Sequence, residues 1–271
     1  MALEGKAANV LVPVRSPAMV GKPLINVEAI YGIWLRDIKK FSRERSRLLG
    51  GIARPILWLL IFGAGLRNSV TIPGVDYQHY IFPGVLGMTL IFAGLQSATS
   101  IIWDREFGFL KEVLASPVDR TSIVIGKALG GASQATLQGI ITLAFAPLIN
   151  LWPTPLTILE LLPMMFLVAF ALTSLGIVIA SKMSSFEGFG TISNFVIMPM
   201  YFLSGAIFST SSAPAWIKPF VIVNPLSYGV DALRYISIGI GTFPLALDVA
   251  FLIVFALIMN GIALYVFRQK E

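Results

Sequence analysis

Six runs of apolar residues, each about as long as a bilayer core is thick, leave this chain little choice of architecture. They extend over about Leu48–Leu66, Tyr80–Trp103, Ile123–Ile149, Thr157–Ser181, Phe189–Phe208 and Phe243–Phe267. A hydrocarbon core of roughly 30 Å is crossed by about 20 helical residues. A single segment survives there only as a helix, which satisfies its own backbone groups where no water reaches them. The balance of residue types agrees, with 56% apolar and only 13% charged, where soluble domains run near a quarter charged. The expected fold is therefore an all-α polytopic membrane protein with six transmembrane helices, the membrane domain covering residues 48–271. The stretch from Phe220 to Ile240 is also fairly apolar, but Asn224, Pro225, Asp231 and Arg234 interrupt it. It is not expected to cross.

The basic residues set the expected orientation. With six spans, 17 of the 20 Lys and Arg fall on one face, and only Arg67, Lys218 and Arg234 fall on the other. Cytoplasmic loops carry the excess of Lys and Arg, so that face and both termini are expected in the cytoplasm of a bacterial-type plasma (inner) membrane. The net charge of +6 then reflects topology and contact with anionic membrane lipids, with no nucleic acid as partner. The first twenty residues lack the apolar core of a removable signal, so the first span is expected to insert the chain.

Several chemistries are poorly supported. There is no Cys and a single His, which speaks against thiol catalysis, His-based triads and the common zinc sites. His79 stands in a short outer loop beside Tyr77 and Tyr80, where an interfacial or surface role is expected rather than a catalytic one. No phosphate-cradling loop is present. The Gly126-Lys127 pair has Thr121 where the upstream Gly belongs and Ala128 where Ser or Thr is required. No catalytic, cofactor or metal site is expected in this chain.

Two amphipathic stretches break the apolar pattern. Asn26–Arg47 reads as one helix whose stripe of Val27, Ile30, Tyr31, Trp34, Ile38 and Phe41 opposes Arg36, Lys39, Lys40 and Arg43. It suits an anchor in the headgroups or a contact with a cytoplasmic partner; residues 1–25 before it carry little pattern and are expected to be mobile. The second is an island between the second and third runs, with five charges from Asp104 to Glu112: Asp104, Arg105, Glu106, Lys111 and Glu112. Charge is costly in the bilayer, so the island belongs in water or against a soluble partner. Phe107, Leu110 and Leu114 recur at helical spacing, which a solubilising linker does not need.

Inside the spans, Gly126 and Gly130 form a GxxxG spacing, and Gly131, Ala135 and Gly139 continue a second small row. Rows of this kind let helices approach closely, so the third span is expected at the centre of its bundle. Gln134 and Gln138 share a face, with Gln96 and Asn194 on neighbouring spans; interhelical hydrogen bonding is the first expectation and a transport pathway the second. Trp58 and Phe62, one turn apart, are further pathway candidates. Between the last two spans, Pro214, Pro219 and Pro225 break the helix before Asn224–Arg234 resumes a helical pattern. Two short helices dipping into the bilayer would shield that backbone, and Asp231 and Arg234, three apart, are placed to pair.

Taken in order, Trp34–Arg47, Asp104–Pro117 running on to Gly126-Lys127, Pro199–Phe208 and Asn224–Arg234 resemble the membrane permease of type-2 ATP-binding-cassette exporters, the group of antibiotic-resistance and polysaccharide or lipo-oligosaccharide permeases. The likeness covers nearly the whole chain, with Asp104 and Phe109 standing where relatives often carry Glu and Thr. It implies that the island, with Asp104, Arg105, Glu106, Phe107, Gly108, Leu110, Lys111, Glu112, Leu114 and Pro117, is a coupling helix seated on an ATPase subunit. The helix bearing Trp34, Arg36, Lys39, Lys40 and Arg43 becomes the interface helix. The segment bearing Asn224, Pro225, Tyr228, Asp231 and Arg234 becomes the re-entrant outer helices. The implied assembly is a homodimer with two ATP-binding subunits, which hold the ATP and Mg. A secondary transporter would need ionisable groups near the bilayer midplane, whereas the acidic residues here stand mostly at span ends or in loops. The many Phe and few Tyr and Trp within the spans favour a hydrophobic or amphipathic substrate, drug-like or lipid, over a polysaccharide or lipid-linked glycan.

Overall fold

The computed structural model describes residues 25–65, 74–107, 118–208 and 214–269. Among them the regular elements are all helical: α1 (Val27–Arg43), α2 (Arg45–Gly65), α3 (Tyr77–Ser97), α4 (Thr99–Glu106), α5 (Arg120–Leu143), a 3-10 turn (Ala146–Ile149), α6 (Pro155–Lys182), α7 (Phe186–Phe202), α8 (Lys218–Val223), α9 (Pro225–Ile238) and α10 (Leu245–Gln269). Short polar side chains start most of these. Asn26, Asp76, Asp119, Thr154, Ser185 and Asn224 each accept a backbone N–H two or three residues on, supplying a partner that the first turn otherwise lacks. Gly239 ends α9 in a left-handed conformation at φ 74°, which costs a residue without Cβ little.

Several expected boundaries move. The helix expected over 26–47 stops at Arg43, Glu44 leaves helical geometry (φ −86°, ψ 70°), and α2 starts at Arg45. The break separates a helix laid against α5 from one that packs mainly on α3. The third run is helical only to Leu143, then tightens into the 3-10 turn and ends at Asn150, left-handed at φ 58°. The fifth closes at Phe202 rather than Phe208.

Among the described residues, three helical stretches are long and apolar enough to cross a membrane: Tyr77–Glu106 (α3 with α4), Pro155–Lys182 (α6) and Leu245–Gln269 (α10). Their burial differs, at 78%, 56% and 22%, which places α3 centrally and leaves most of α10 facing outward. Ile81, Phe82, Val85, Leu86, Leu90 and Ile91 of α3 are fully enclosed among α2, α5, α6 and α9. The small rows of α5 divide their work. A Cβ at Gly139 would lie 3.1 Å from Leu90 and 3.2 Å from Met165, so that row faces α3 and α6. Gly126 and Gly130 face α1 instead, where Cβ atoms would meet Ile33 Cβ at 3.0 Å and Asp37 Cβ at 3.2 Å. The GxxxG spacing therefore seats the amphipathic helix and not a neighbouring span.

At the end of the bundle away from α1, α8 and α9 form a helical hairpin around Asn224. Leu226 and Val230 reach Gly87, ten residues into α3 and so about 15 Å along its axis. Asn224 donates to Met200 O at 2.7 Å while capping Leu226 N at 3.0 Å. Pro225, with no N–H to lose, takes the first helical position.

Candidate functional site

The largest collection of buried charge lies where α1, α4 and α5 meet. Lys127, 6% exposed, extends its ammonium to Asp104 Oδ2 at 2.7 Å, Ser100 Oγ at 3.0 Å and Asp37 Oδ2 at 3.4 Å. The Arg36 guanidinium reaches Asp104 Oδ2 at 2.9 Å and Asp37 Oδ1 at 3.2 Å. Two cations and two carboxylates thus balance across three helices. Balance matters because stripping one partner from a buried pair strands a charge at a cost of about 3–5 kcal/mol. Hydrogen bonds extend the junction: Trp34 Nε1 donates to Ser133 Oγ at 3.0 Å, Gln134 Nε2 to Asp37 O at 3.2 Å, and Asn26 N to Ser122 Oγ at 2.8 Å.

The base of the charged island is held on further sides. Arg105 donates to the carbonyls of Ser181, at 3.1 Å, and Met183, placing a cation at the C-terminal end of α6 where the helix dipole favours it. Trp103 stacks on Phe107 with centroids 4.9 Å apart and meets Phe186 of α7 at 5.0 Å. Lys40 stands 5.2 Å over the Trp103 ring. Arg120, at the start of α5, donates to Phe267 O of α10 at 2.8 Å. Asp119 beside it accepts from Thr121 N at 2.9 Å; hydrogen bonding to Thr121 holds its carboxyl below the usual carboxylate range. The C-terminal end of α4 is therefore in side-chain contact with α1, α5, α6 and α7.

The structure brings together Trp34, Arg36, Lys40, Asp104, Arg105 and Phe107 of the expected site residues. Lys39 and Arg43 are exposed on the free side of α1. Glu106 ends α4. Gly108, Leu110, Lys111, Glu112, Leu114 and Pro117 lie outside the described residues, as do residues 1–24. Sequence reasoning missed Asp37 and the partnership of Lys127. The signal was present: Asp37 falls three residues after Trp34 and four before Phe41, within the apolar stripe, and Lys127 lies inside an apolar run. Gln134 performs the interhelical bonding expected of it.

Cavities adjoin this junction. One of about 420 Å³ lies under α1 and includes Asp37, Lys40, Glu44, Gln96, Trp103 and Gln134 in its wall. Another, of about 350 Å³, lies between α2, α3, α5 and α7, with Arg54, Gln96, Gln138, Ser193 and Asn194 among its lining residues. Gln96 borders both. Trp58 and Phe62 line neither; they stack on each other at 4.2 Å, and Trp58 meets the edge of Tyr201 at 5.5 Å. A second departure concerns Asp231 and Arg234, which form no ion pair. Asp231 accepts from Thr242 N at 2.8 Å and Phe243 N at 2.8 Å. Arg234 donates to Gly205 O at 2.7 Å and Tyr80 O at 3.4 Å, its guanidinium 4.0 Å over the Tyr80 ring. Helical spacing allowed the pair, but the turn after α9 supplies backbone N–H groups to Asp231, while Gly205 after α7 and Tyr80 of α3 supply carbonyls to Arg234. Tyr228 donates to Ile222 O at 2.8 Å and stacks on Phe251 at 3.9 Å, closing the hairpin against α10. His79, expected in a loop, lies in the first turn of α3 and contacts Ile149 O at 2.9 Å.

Known proteins resemble this chain in sequence. The family described as ABC-2 type transporter matches residues 28–238, a span that includes α1, the charge junction and the α8–α9 hairpin. The inner membrane transport permease YadH of Escherichia coli (strain K12) is 26% identical over 235 residues, covering 84% of this chain and 90% of that protein. The transport permease ycf38 of Pyropia yezoensis is 29% identical over 220 residues, covering 78% and 74%. Nodulation protein J of Rhizobium leguminosarum bv. viciae is 26% identical over 211 residues, covering 76% and 81%. With a family match over most of its length and transport permeases among its relatives, the chain belongs to the ABC-2 type transporter family.

Proposed function

We propose that the chain is the membrane-spanning permease of an ATP-driven exporter, coupled through Asp104–Pro117 to a separate ATPase subunit that binds ATP and Mg. The observation that carries this reading is the charge junction of Arg36, Asp37, Asp104 and Lys127, which ties the base of the island to α1 and α5. A ligand shifts a conformational equilibrium only through its differential affinity for the two states. ATP binding to the partner moves the island, and the junction converts that motion into a tilt of α1 and α5 as one body. In this reading α2, α3, α5, α6, α7 and α10 are the six spans, both termini are cytoplasmic, and α8 and α9 re-enter from outside. A second copy of the permease completes the membrane assembly as a homodimer. The cargo is hydrophobic or amphipathic, drug-like or lipid. The amides of Gln96, Gln138 and Asn194 in the second cavity favour a lipid-linked glycan as the alternative on the same architecture.

Charge reversal tests the coupling role. Glu106→Arg and Glu112→Arg, each expressed in the full complex, are expected to lower co-purification of the ATPase subunit and cargo-stimulated ATP hydrolysis at least tenfold while the permease still inserts. A reversed charge adds repulsion to the lost attraction. Wild-type complex yield and hydrolysis in both variants would remove the island from the coupling path.

A further inference from the structure

The cavity between α2, α3, α5 and α7 carries one formal charge. Arg54 is an exposed cation that forms no ion pair among the described residues, and no carboxylate lines the cavity. Its guanidinium lies 3.9 Å over the Phe92 ring, which orients the plane of the group without using its hydrogen-bond donors. Around it are Gln96, Gln138, Ser193 and Asn194. The Ser193 hydroxyl, in a residue 5% exposed, is buried without a partner, a costly state for a polar atom that a bound group would relieve. The Gln138 amide packs so closely on Gly51 that a Cβ there would collide with it, so the polar wall is built by backbone contact.

The surface beyond the cavity is of opposite character. Arg54, Leu57 and Ile61 fall at i, i+3 and i+7, on one face of α2, and Leu57 and Ile61 are 54% and 62% exposed. Asn194, Met198 and Phe202 fall at i, i+4 and i+8 of α7, with Met198 and Phe202 46% and 44% exposed. Both helices run away from α1, so both stripes start at the polar cavity and continue in the same direction over apolar surface. A polar recess with one cation at its mouth, continued by two parallel apolar stripes, has the order of parts of an anionic amphiphile.

We propose that this cavity receives the anionic, phosphate-type head group of an amphiphile, with Arg54 as its charge anchor, Ser193, Asn194 and Gln96 meeting its oxygens and hydroxyls, and its tail lying along Leu57, Ile61 and Met198. Arg is suited to this role because its fork of donors matches the oxygens of a phosphate and stays charged at every working pH. The proposal rests on the permease reading and names the cargo class for which that reading leaves room.

The test is binding to the purified full-length permease in a neutral detergent, read by titration calorimetry, with no transport measured. Dioctanoyl phosphatidic acid is expected to bind at least tenfold more tightly than dioctanoyl phosphatidylcholine, a difference of about 1.4 kcal/mol. Arg54→Gln is expected to erase that preference and Arg54→Lys to keep part of it. Because Arg54 is exposed and unpaired, the elution profile of both variants on gel filtration should match the parent. Inorganic phosphate is expected to bind at least tenfold more weakly than phosphatidic acid; equal binding of the two would overturn the amphiphile in favour of a free anion. Equal binding of the two lipids to the parent protein, or a preference unchanged in Arg54→Gln, would overturn the site. These outcomes leave the permease reading untouched, since that reading fails only with the ATPase complex.

Discussion

Replacing Lys127 by Met is the most direct probe of the charge junction. Met keeps the length and the apolar stem of Lys and removes only the ammonium, so the cavity term stays small. The ammonium lies 2.7 Å from Asp104 and 3.4 Å from Asp37, and its side chain is 6% exposed against 15% for Asp104. Unit charges about 4 Å apart interact with about 4 kcal/mol in an effective dielectric near 20. Arg36 offsets part of that loss by contacting both carboxylates, and its own side chain is 36% exposed, which weakens what it can supply. The expected net destabilisation is about 2–3 kcal/mol, read as a fall in apparent melting temperature on the order of 5–10 °C in detergent. Adding Asp104→Leu removes the stranded carboxylate, so the double variant is expected to recover at least about 1 kcal/mol relative to the sum of the singles. In membranes, with the ATPase subunit bound, the double variant should still hydrolyse ATP poorly in response to cargo, because the link between α4 and α5 is gone even where stability returns. A Lys127→Met protein that melts with the parent, or a double variant that shows no recovery, would refute the argument that this junction is a tightly coupled buried network.

Other positions give independent tests. Gly126→Leu should detach α1 from α5 at a cost of about 1–3 kcal/mol, because Ile33 stands 3.0 Å from where a Cβ would sit; Gly261→Leu, with open space around it, should melt with the parent. Arg234→Ala and Asp231→Ala should each lower thermal stability by about 2–3 kcal/mol through lost charge-assisted hydrogen bonds. Since their partners differ, the double variant should be additive to within about 1 kcal/mol, and a larger coupling in the double-mutant cycle would restore the direct pair. The depressed carboxyl of Asp119 stabilises the fold above the unfolded value near pH 4 and ceases to do so as pH falls through the folded value. The melting-temperature difference between parent and Asp119→Ala should therefore be constant from about pH 5 to 8 and shrink on acidification below about pH 4.

Composition and periodicity alone determined the class of this molecule. Runs of apolar residues of bilayer length admit helices and little else, and the helix starts at Asn26, Asp119 and Asn224 follow from local capping chemistry that no tertiary contact overrides. The interruption at 214–234 was equally legible, because Pro and Asn act on the backbone where they stand. What the tertiary structure decided is which neighbour each polar group meets. Asp231 and Arg234 share a helical face, yet Asp231 is taken by the N–H groups of Thr242 and Phe243 and Arg234 by the carbonyls of Gly205 and Tyr80. The GxxxG of α5 receives α1, since a small row records only that a backbone approaches and not whose. Asp37, Asp104 and Lys127 come from segments up to 90 residues apart, and charge neutrality at their meeting point is a property of the packed bundle. One-dimensional patterns encode the environment a side chain needs, and burial among distant helices decides the partner that supplies it.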